Sequence, residues 1–236
     1  MLIKTFGSGS SGNCYLLQSG SSNLVLDAGV PFKKLQIGMK FKTSDINGVL
    51  VTHCHLDHAK YVKEYLNNGL EVYMTKGTKE ALKLDNHYLL KTIKPLQMFK
   101  VDKFNIIAFE SVHDAAEPVN FLIQINGSKL VYATDTKYIK YKFDGLTHLM
   151  IEANYDYEYM EQNVDDGVLH ESLAKRIMNS HMSIDTAIDY LNKLDQSKLK
   201  EIHMIHLSET NSKHKEFKER LQRTTGAFVK IAKGEI

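Results

Sequence analysis

The stretch that most constrains this 236-residue chain is an apolar run, Gly48-Val49-Leu50-Val51-Thr52, which passes without a break into His53-Cys54-His55-Leu56-Asp57-His58. A short apolar run bounded by polar residues is the pattern of a strand covered on both faces, as in a parallel sheet. Three imidazoles and a carboxylate therefore leave one strand end together, ahead of a helical pattern at 59–67. In an extended segment residues i and i+2 face the same way, so His53 and His55 can share one ion while Asp57 and His58 turn toward another. Buried neutral imidazoles set this close need a common purpose, because polar groups without partners are costly to bury.

Short apolar or alternating runs recur along the chain, separated by stretches of helical period, and the layout reads as mixed α/β. Strands are expected at 2–6, 14–18, 23–26, 48–52, 71–74, 104–109, 119–125, 129–133, 148–151 and 202–205, and helices at 32–39, 59–67, 78–84, 171–178, 184–194 and 212–223. Asn126-Gly127 suits the positive φ values of a hairpin turn. Ser183 is a candidate N-cap, with Asp185 in the first turn where negative charge is favoured. The acidic stretch 158–166 carries the weakest pattern and is expected to be a mobile loop or lid. With 3 prolines, no repeat and no low-complexity tract, nothing marks a linker, and a single domain over 1–236 is expected.

Charge leaves the partner open. The balance of 30 basic against 28 acidic side chains, net +2, falls short of what by itself implies a polyanion. Lysines do gather at Lys33, Lys34, Lys40 and Lys42, at Lys137, Lys140 and Lys142, and at Lys213, Lys215 and Lys218, although such groups are most often solvated faces. Cys14 and Cys54 are too few for a disulfide framework and form no CxxC pair. No apolar stretch approaches the roughly 18 residues of a membrane span, and the N-terminus lacks a long apolar leader. A soluble cytoplasmic protein without a membrane partner is expected.

Further candidate ligands stand where other apolar runs end: His113 after 104–109, Asp135 after 130–133 and His206 after 202–205. HxHxDH followed by a His, an Asp and a final His resembles the motif series of the metallo-β-lactamase superfamily. Four more segments resemble its YycJ-like (WalJ-like) subfamily: Phe6-Gly7-Ser8-Gly9-Ser10-Ser11-Gly12-Asn13-Cys14-Tyr15-Leu16, Leu26-Asp27-Ala28-Gly29, Ser111-Val112-His113-Asp114-Ala115-Ala116-Glu117-Pro118-Val119, and His206-Leu207-Ser208-Glu209-Thr210-Asn211. The likeness runs from the N-terminus to about Asn211. Asn120 departs from the family's glycine, and Ser180-His181-Met182-Ser183 matches its Gly-His-Leu-Ser only loosely.

The resemblance implies a four-layered αββα sandwich. It implies that His53, His55 and His113 bind one metal, that Asp57, His58 and His206 bind a second, and that Asp135 bridges them. Asp27 would orient the first histidines, as metal ligands commonly require. Backbone N–H groups of loop 7–13, with Ser11 and Asn13, would add donors toward a phosphate. Besides Asp57, His181 is the candidate for direct catalysis, contacting the scissile phosphate or protonating the leaving group. The cofactors would be two divalent ions, zinc or manganese, with iron also compatible with His and Asp donors. A water between two such ions loses a proton near neutral pH, which makes hydroxide the nucleophile. The implied activity is phosphodiester hydrolysis by a nuclease, 5′-to-3′ on DNA. The rival readings are a small-molecule phosphodiesterase acting on a cyclic nucleotide, a small-ester or lactone hydrolase, and a non-catalytic metal-stabilised regulatory module, against which the intact ligand set argues.

Overall fold

The structure, a computed structural model, describes residues 1–234. The chain divides into two compact units, the first made of Met1–Glu110, Ala115–Ser128 and the residues from Lys233, the second of Ser111–Asp114 and Lys129–Ala232. Among the described residues no helix is long and apolar enough to cross a membrane.

The first unit opens with an antiparallel meander of β1 (Leu2–Gly7), β2 (Cys14–Ser19) and β3 (Ser22–Leu26). β4 (Gly48–Leu50), β5 (Val72–Thr75) and β6 (Leu90–Ile93) then add in parallel, in the order β1-β2-β3-β4-β5-β6. The helices between them are α1 (Phe32–Gly38), α2 (Leu56–Ala59), α3 (Val62–Asn67) and α4 (Lys76–Ala81). β3 and β4 are buried along their whole length, as an apolar run in a parallel setting requires. Val25, Val49 and Val72 stand in register across three strands and pack with Phe32, Leu35, Val62, Tyr65 and Leu66 of the helices. Burial pushes the Cys14 thiol up to about 12, which makes this cysteine an inert part of the core. A second meander, β7 (Met98–Val101), β8 (Phe104–Glu110) and β9 (Val119–Ile125), completes the unit.

In the second unit β10 (Ser128–Ala133), β11 (His148–Glu152), β12 (Glu201–Ile205) and β13 (Phe228–Ile231) run parallel in that order. Its helices are α5 (Tyr157–Asp165), α6 (Glu171–Ser180), α7 (Ile184–Asn192) and α8 (His214–Thr225). Ser183 caps α7, its hydroxyl accepting from Thr186 N at 3.1 Å, as expected. Asn126 and Gly127 take φ 48° and 74°, the left-handed pair that an Asn-Gly turn favours.

Three expectations need correcting. Residues 158–166 are no loop: they form most of α5, whose N-cap Asp156 accepts from Tyr159 N at 3.0 Å and whose Met160 is buried. The single helix expected at 59–67 is broken at Tyr61, because Tyr61 N donates to Ala28 O at 3.0 Å instead of continuing the helical ladder. The strands β6, β7 and β13 were not expected. Each has only one partner strand within its unit and carries a lysine (Lys91, Lys100, Lys230), the mark of a guarded edge and the reason their apolar pattern is faint.

His148 on β11 gives the fold a measurable pH dependence. Burial holds its imidazole at about 4, below the ordinary 6.5, against the opposing pull of Glu201. The unfolded chain takes up the proton first, so this stabilisation is complete above pH 6.5 and is lost as pH falls toward 4. Urea midpoints of the wild type should therefore fall more steeply between pH 7 and pH 5 than those of His148→Gln. Parallel curves would contradict this.

Candidate metal centre

In the first unit the ligand segment is held from two sides. Asp27, just past β3, adopts φ 60°, a left-handed conformation that Asp tolerates better than most residues but that still carries strain. That turn aims its fully buried carboxylate at the segment after β4. Oδ1 accepts from Thr52 N at 2.8 Å and from Thr52 Oγ1 at 3.0 Å, while Oδ2 lies 2.7 Å from His58 Nδ1. A carboxylate only accepts, so the His58 proton sits on Nδ1 and Nε2 is left as a donor for a metal. His58 Nε2 stands 3.2 Å from Asp57 Oδ2. His53 Nδ1 contacts Thr52 Oγ1 at 3.0 Å, and its Nε2 faces His55 Nδ1 at 3.1 Å.

Asn13 supplies the second support. Its Oδ1 accepts from Gly9 N at 2.8 Å, and its Nδ2 donates to Gly9 O at 3.0 Å and to Asp57 Oδ2 at 3.2 Å. Main-chain bonds tie the same strands together: Asn13 N to Asp57 O at 2.7 Å, Ala28 N to His58 O at 2.8 Å and Gly29 N to Asn13 O at 2.9 Å. Asn13 Nδ2 also lies 3.1 Å from His58 Nε2, so Asn13 stands at the ligand atoms of both Asp57 and His58. Ser11 is exposed at the tip of the same loop and, among the described residues, makes no hydrogen bond to the ligand segment.

In the second unit the same construction recurs at the ends of parallel strands. Asp135 follows β10 with φ 46°, and His206 follows β12 with φ 48°. Strain of this kind, about 1–3 kcal/mol per residue, persists where the surroundings over-determine it and concentrates at functional sites. His113 Nδ1 donates to Ser180 O at 2.9 Å, which leaves Nε2 turned to Asp135 Oδ2 at 3.4 Å. The other oxygen, Oδ1, lies 3.5 Å from His206 Nε2 and accepts from Thr134 Oγ1 at 2.9 Å. The two oxygens of one buried carboxylate thus face two different imidazoles.

His181, at the C-terminal end of α6, joins this group. Its ring is stacked on His206, centroids 5.3 Å apart and planes at 10°, and lies edge-on to His113 at 5.4 Å. Glu152 and Asn154, which the sequence reading did not single out, hold it all in place. Glu152 Oε2 lies 3.0 Å from His181 Nδ1, and its Oε1 accepts from Thr136 N at 2.6 Å and Met182 N at 3.3 Å. Asn154 Nδ2 donates to His206 O at 2.9 Å. Asp135, Glu152, His181 and His206 bring potential ligand atoms within 4.8 Å of one another. Glu152 already accepts from two main-chain N–H groups, which suits it to orient His181 rather than to bind an ion. The signal available for it was position: a carboxylate ending a fully buried strand, as Asp135 follows the buried end of β10.

The donor set fits divalent ions. Imidazole nitrogens with their far side fixed by an oxygen acceptor, beside carboxylate oxygens, are the ligands that zinc, manganese and iron take. Replacing Asp27 by Asn leaves one acceptor oxygen where Thr52 and His58 now use two, so the hold on the His58 tautomer weakens, and metal affinity should fall about 10- to 100-fold. Competition against a chelating dye reads this, and unchanged affinity would remove Asp27 from the centre.

A family model described as the beta-lactamase superfamily domain matches residues 22–204. The chain is 29% identical over 222 residues to the exodeoxyribonuclease WalJ of Streptococcus pneumoniae, covering 87% of this chain and 81% of that protein. It is 29% identical over 231 residues to the exodeoxyribonuclease YycJ of Bacillus anthracis, covering 89% and 83% respectively. Among solved structures, the metallo-β-lactamase fold protein YhfI of Bacillus subtilis superposes with a TM-score of 0.76 at 20% identity, over 99% of this chain and 97% of that one. The fold is of the class that the motif series implied.

Proposed function

The chain belongs to the beta-lactamase superfamily and is a metal-dependent hydrolase, and we propose that it cleaves phosphodiester bonds of nucleic acid, DNA foremost, at a two-metal centre. What carries this is Asp135, whose two oxygens face separate imidazoles in the manner of a bridging ligand. The motif series would give His53, His55 and His113 to one ion and Asp57, His58 and His206 to the other, with Asp135 shared between them. When bound, such ions acidify a water and neutralise charge on the non-bridging phosphate oxygens. The chain's own part is positioning and proton transfer. Asp27 and the Ser180 carbonyl fix the tautomers of His58 and His113, so that Nε2 of each is the ligand atom. Glu152 accepts from Nδ1–H of His181, and the ring, when protonated on both nitrogens, would give its Nε2 proton to the departing oxygen and keep the Nδ1 proton on Glu152. The likeness to two exodeoxyribonucleases supports DNA over a cyclic nucleotide.

The test is hydrolysis by manganese- or zinc-loaded protein of end-labelled single- and double-stranded DNA, RNA, a cyclic dinucleotide and bis(p-nitrophenyl) phosphate. Progressive shortening of DNA is expected, with His181→Ala about 10²- to 10⁴-fold slower at unchanged metal content. Cleavage of the cyclic dinucleotide alone would replace the polymer by a small substrate. Hydrolysis of none of them would overturn the proposal.

A further inference from the structure

Of the three lysine groups in the sequence, one differs from the others in kind. Lys213, Lys215 and Lys218 alternate with Glu216 and Glu219 around α8, the pattern of a solvated helix face, and the group at Lys33 to Lys42 is followed by Asp45. Residues 136–143, Thr-Lys-Tyr-Ile-Lys-Tyr-Lys-Phe, contain three lysines, three aromatics and no acid in a chain whose charges otherwise nearly balance. This segment starts one residue after Asp135.

Its backbone is pinned to the second unit's half of the centre. Thr136 N donates to Glu152 Oε1 at 2.6 Å, Thr136 Oγ1 accepts from Val112 N at 3.0 Å and donates to Tyr138 O at 2.9 Å, and Lys137 N donates to Val112 O at 3.0 Å. At its far end Lys129 Nζ donates to Asp144 O at 2.7 Å. Between these anchors the chain is in neither helix nor strand. Lys137, Tyr138, Lys140 and Lys142 are exposed while Ile139, Tyr141 and Phe143 are half-buried, and the Tyr138 side chain, 44% exposed, lies among the lysines. Lysines spaced along a fixed backbone with an exposed ring among them match the elements that hold an unpaired strand: cations at phosphates and a face on which a base stacks. From Lys137 to Lys142 such a strip spans at most about 18 Å, the reach of ~5 stacked nucleotides at 3.4 Å each. A duplex would offer the lysines its phosphates but give Tyr138 no open base face.

We propose that residues 136–143 form a binding strip for single-stranded nucleic acid leading away from Asp135, with Lys140 and Lys142 at phosphates and Tyr138 stacked on a base. This rests on the phosphodiester reading for its purpose, but binding can be measured apart from cleavage. The probe is a fluorescein-labelled 12-nucleotide oligo-dT with phosphorothioate linkages, followed by anisotropy on the metal-loaded protein. Tyr138→Ala and the pair Lys140→Ala/Lys142→Ala should each weaken binding about tenfold, and the lysine pair should lower the slope of log K against log salt by about 1.4. The charge-matched pair Lys215→Ala/Lys218→Ala should leave both the affinity and the slope as they are, and the melting temperatures of all variants report folding. If the wild type binds the probe and the strip variants bind it as tightly, or if the α8 pair weakens it equally, the strip is overturned, whatever is cleaved. If the strip variants lose binding while no diester is hydrolysed, the strip stands and the hydrolytic reading falls. A wild type that does not bind the probe overturns the strip outright.

Discussion

Asp135→Ala should reduce kcat/KM on DNA about 10³-fold or more and should release metal. Asp135 is 3% exposed and turns one oxygen to each of two imidazole neighbours, so in the proposed bridged centre its removal would take a ligand from both ions at once. The charge stabilisation such ions supply is worth several kcal/mol, and each 1.36 kcal/mol is tenfold in rate. Asp135→Asn is the informative partner. Asn tolerates the φ of 46° about as well as Asp and keeps one oxygen, so the backbone turn survives while the bridge does not. Metal analysis alongside kinetics should show Asn retaining the fold and losing both metal and rate. If Asp135→Asn keeps two ions and near-normal kcat, Asp135 is no bridge.

The second large effect concerns folding. A Cβ on Gly29 would stand 1.8 Å from Asp57 O and 2.6 Å from Asn13 N, both main-chain atoms of the segments that carry and support the ligands. Neither is the free end of a flexible side chain, so Gly29→Ala must push apart the contacts from Gly29 N to Asn13 O and from Asn13 N to Asp57 O. Overpacking of this severity costs about 3 kcal/mol. A lower urea midpoint with an unchanged slope is expected, and the folded fraction should bind metal more weakly because His58 and Asp57 move with the strain. A wild-type midpoint would mean that Gly29 is not needed for the close approach.

The contrast with Gly20 shows how much of this was readable. Both are glycines beside a turn, yet a Cβ on Gly20 meets nothing within 4 Å, and only the family likeness of Leu26-Asp27-Ala28-Gly29 sets Gly29 apart in the sequence. Strand-end positions were legible: His53, Asp135 and His206 each follow an apolar run, and apolar runs are what burial writes most clearly. Supports that reach across the fold were less so. Asp27 came only through the family likeness, and Glu152 looked like one more charged residue until its two main-chain donors and His181 stood around it. Helix α5 was missed because its buried face is small, chiefly Met160 with Val164 packed beside it, while its Asp156 cap and acidic flanks resembled a loop.

Metal stoichiometry tests the central claim most directly. Purified protein, dialysed against manganese or zinc and analysed by plasma mass spectrometry, should hold two ions per chain. His53→Ala/His55→Ala and His206→Ala should each hold about one, and Asp135→Ala fewer than either. A single ion in the wild type, or an unchanged count in Asp135→Ala, would contradict a bridged two-metal centre.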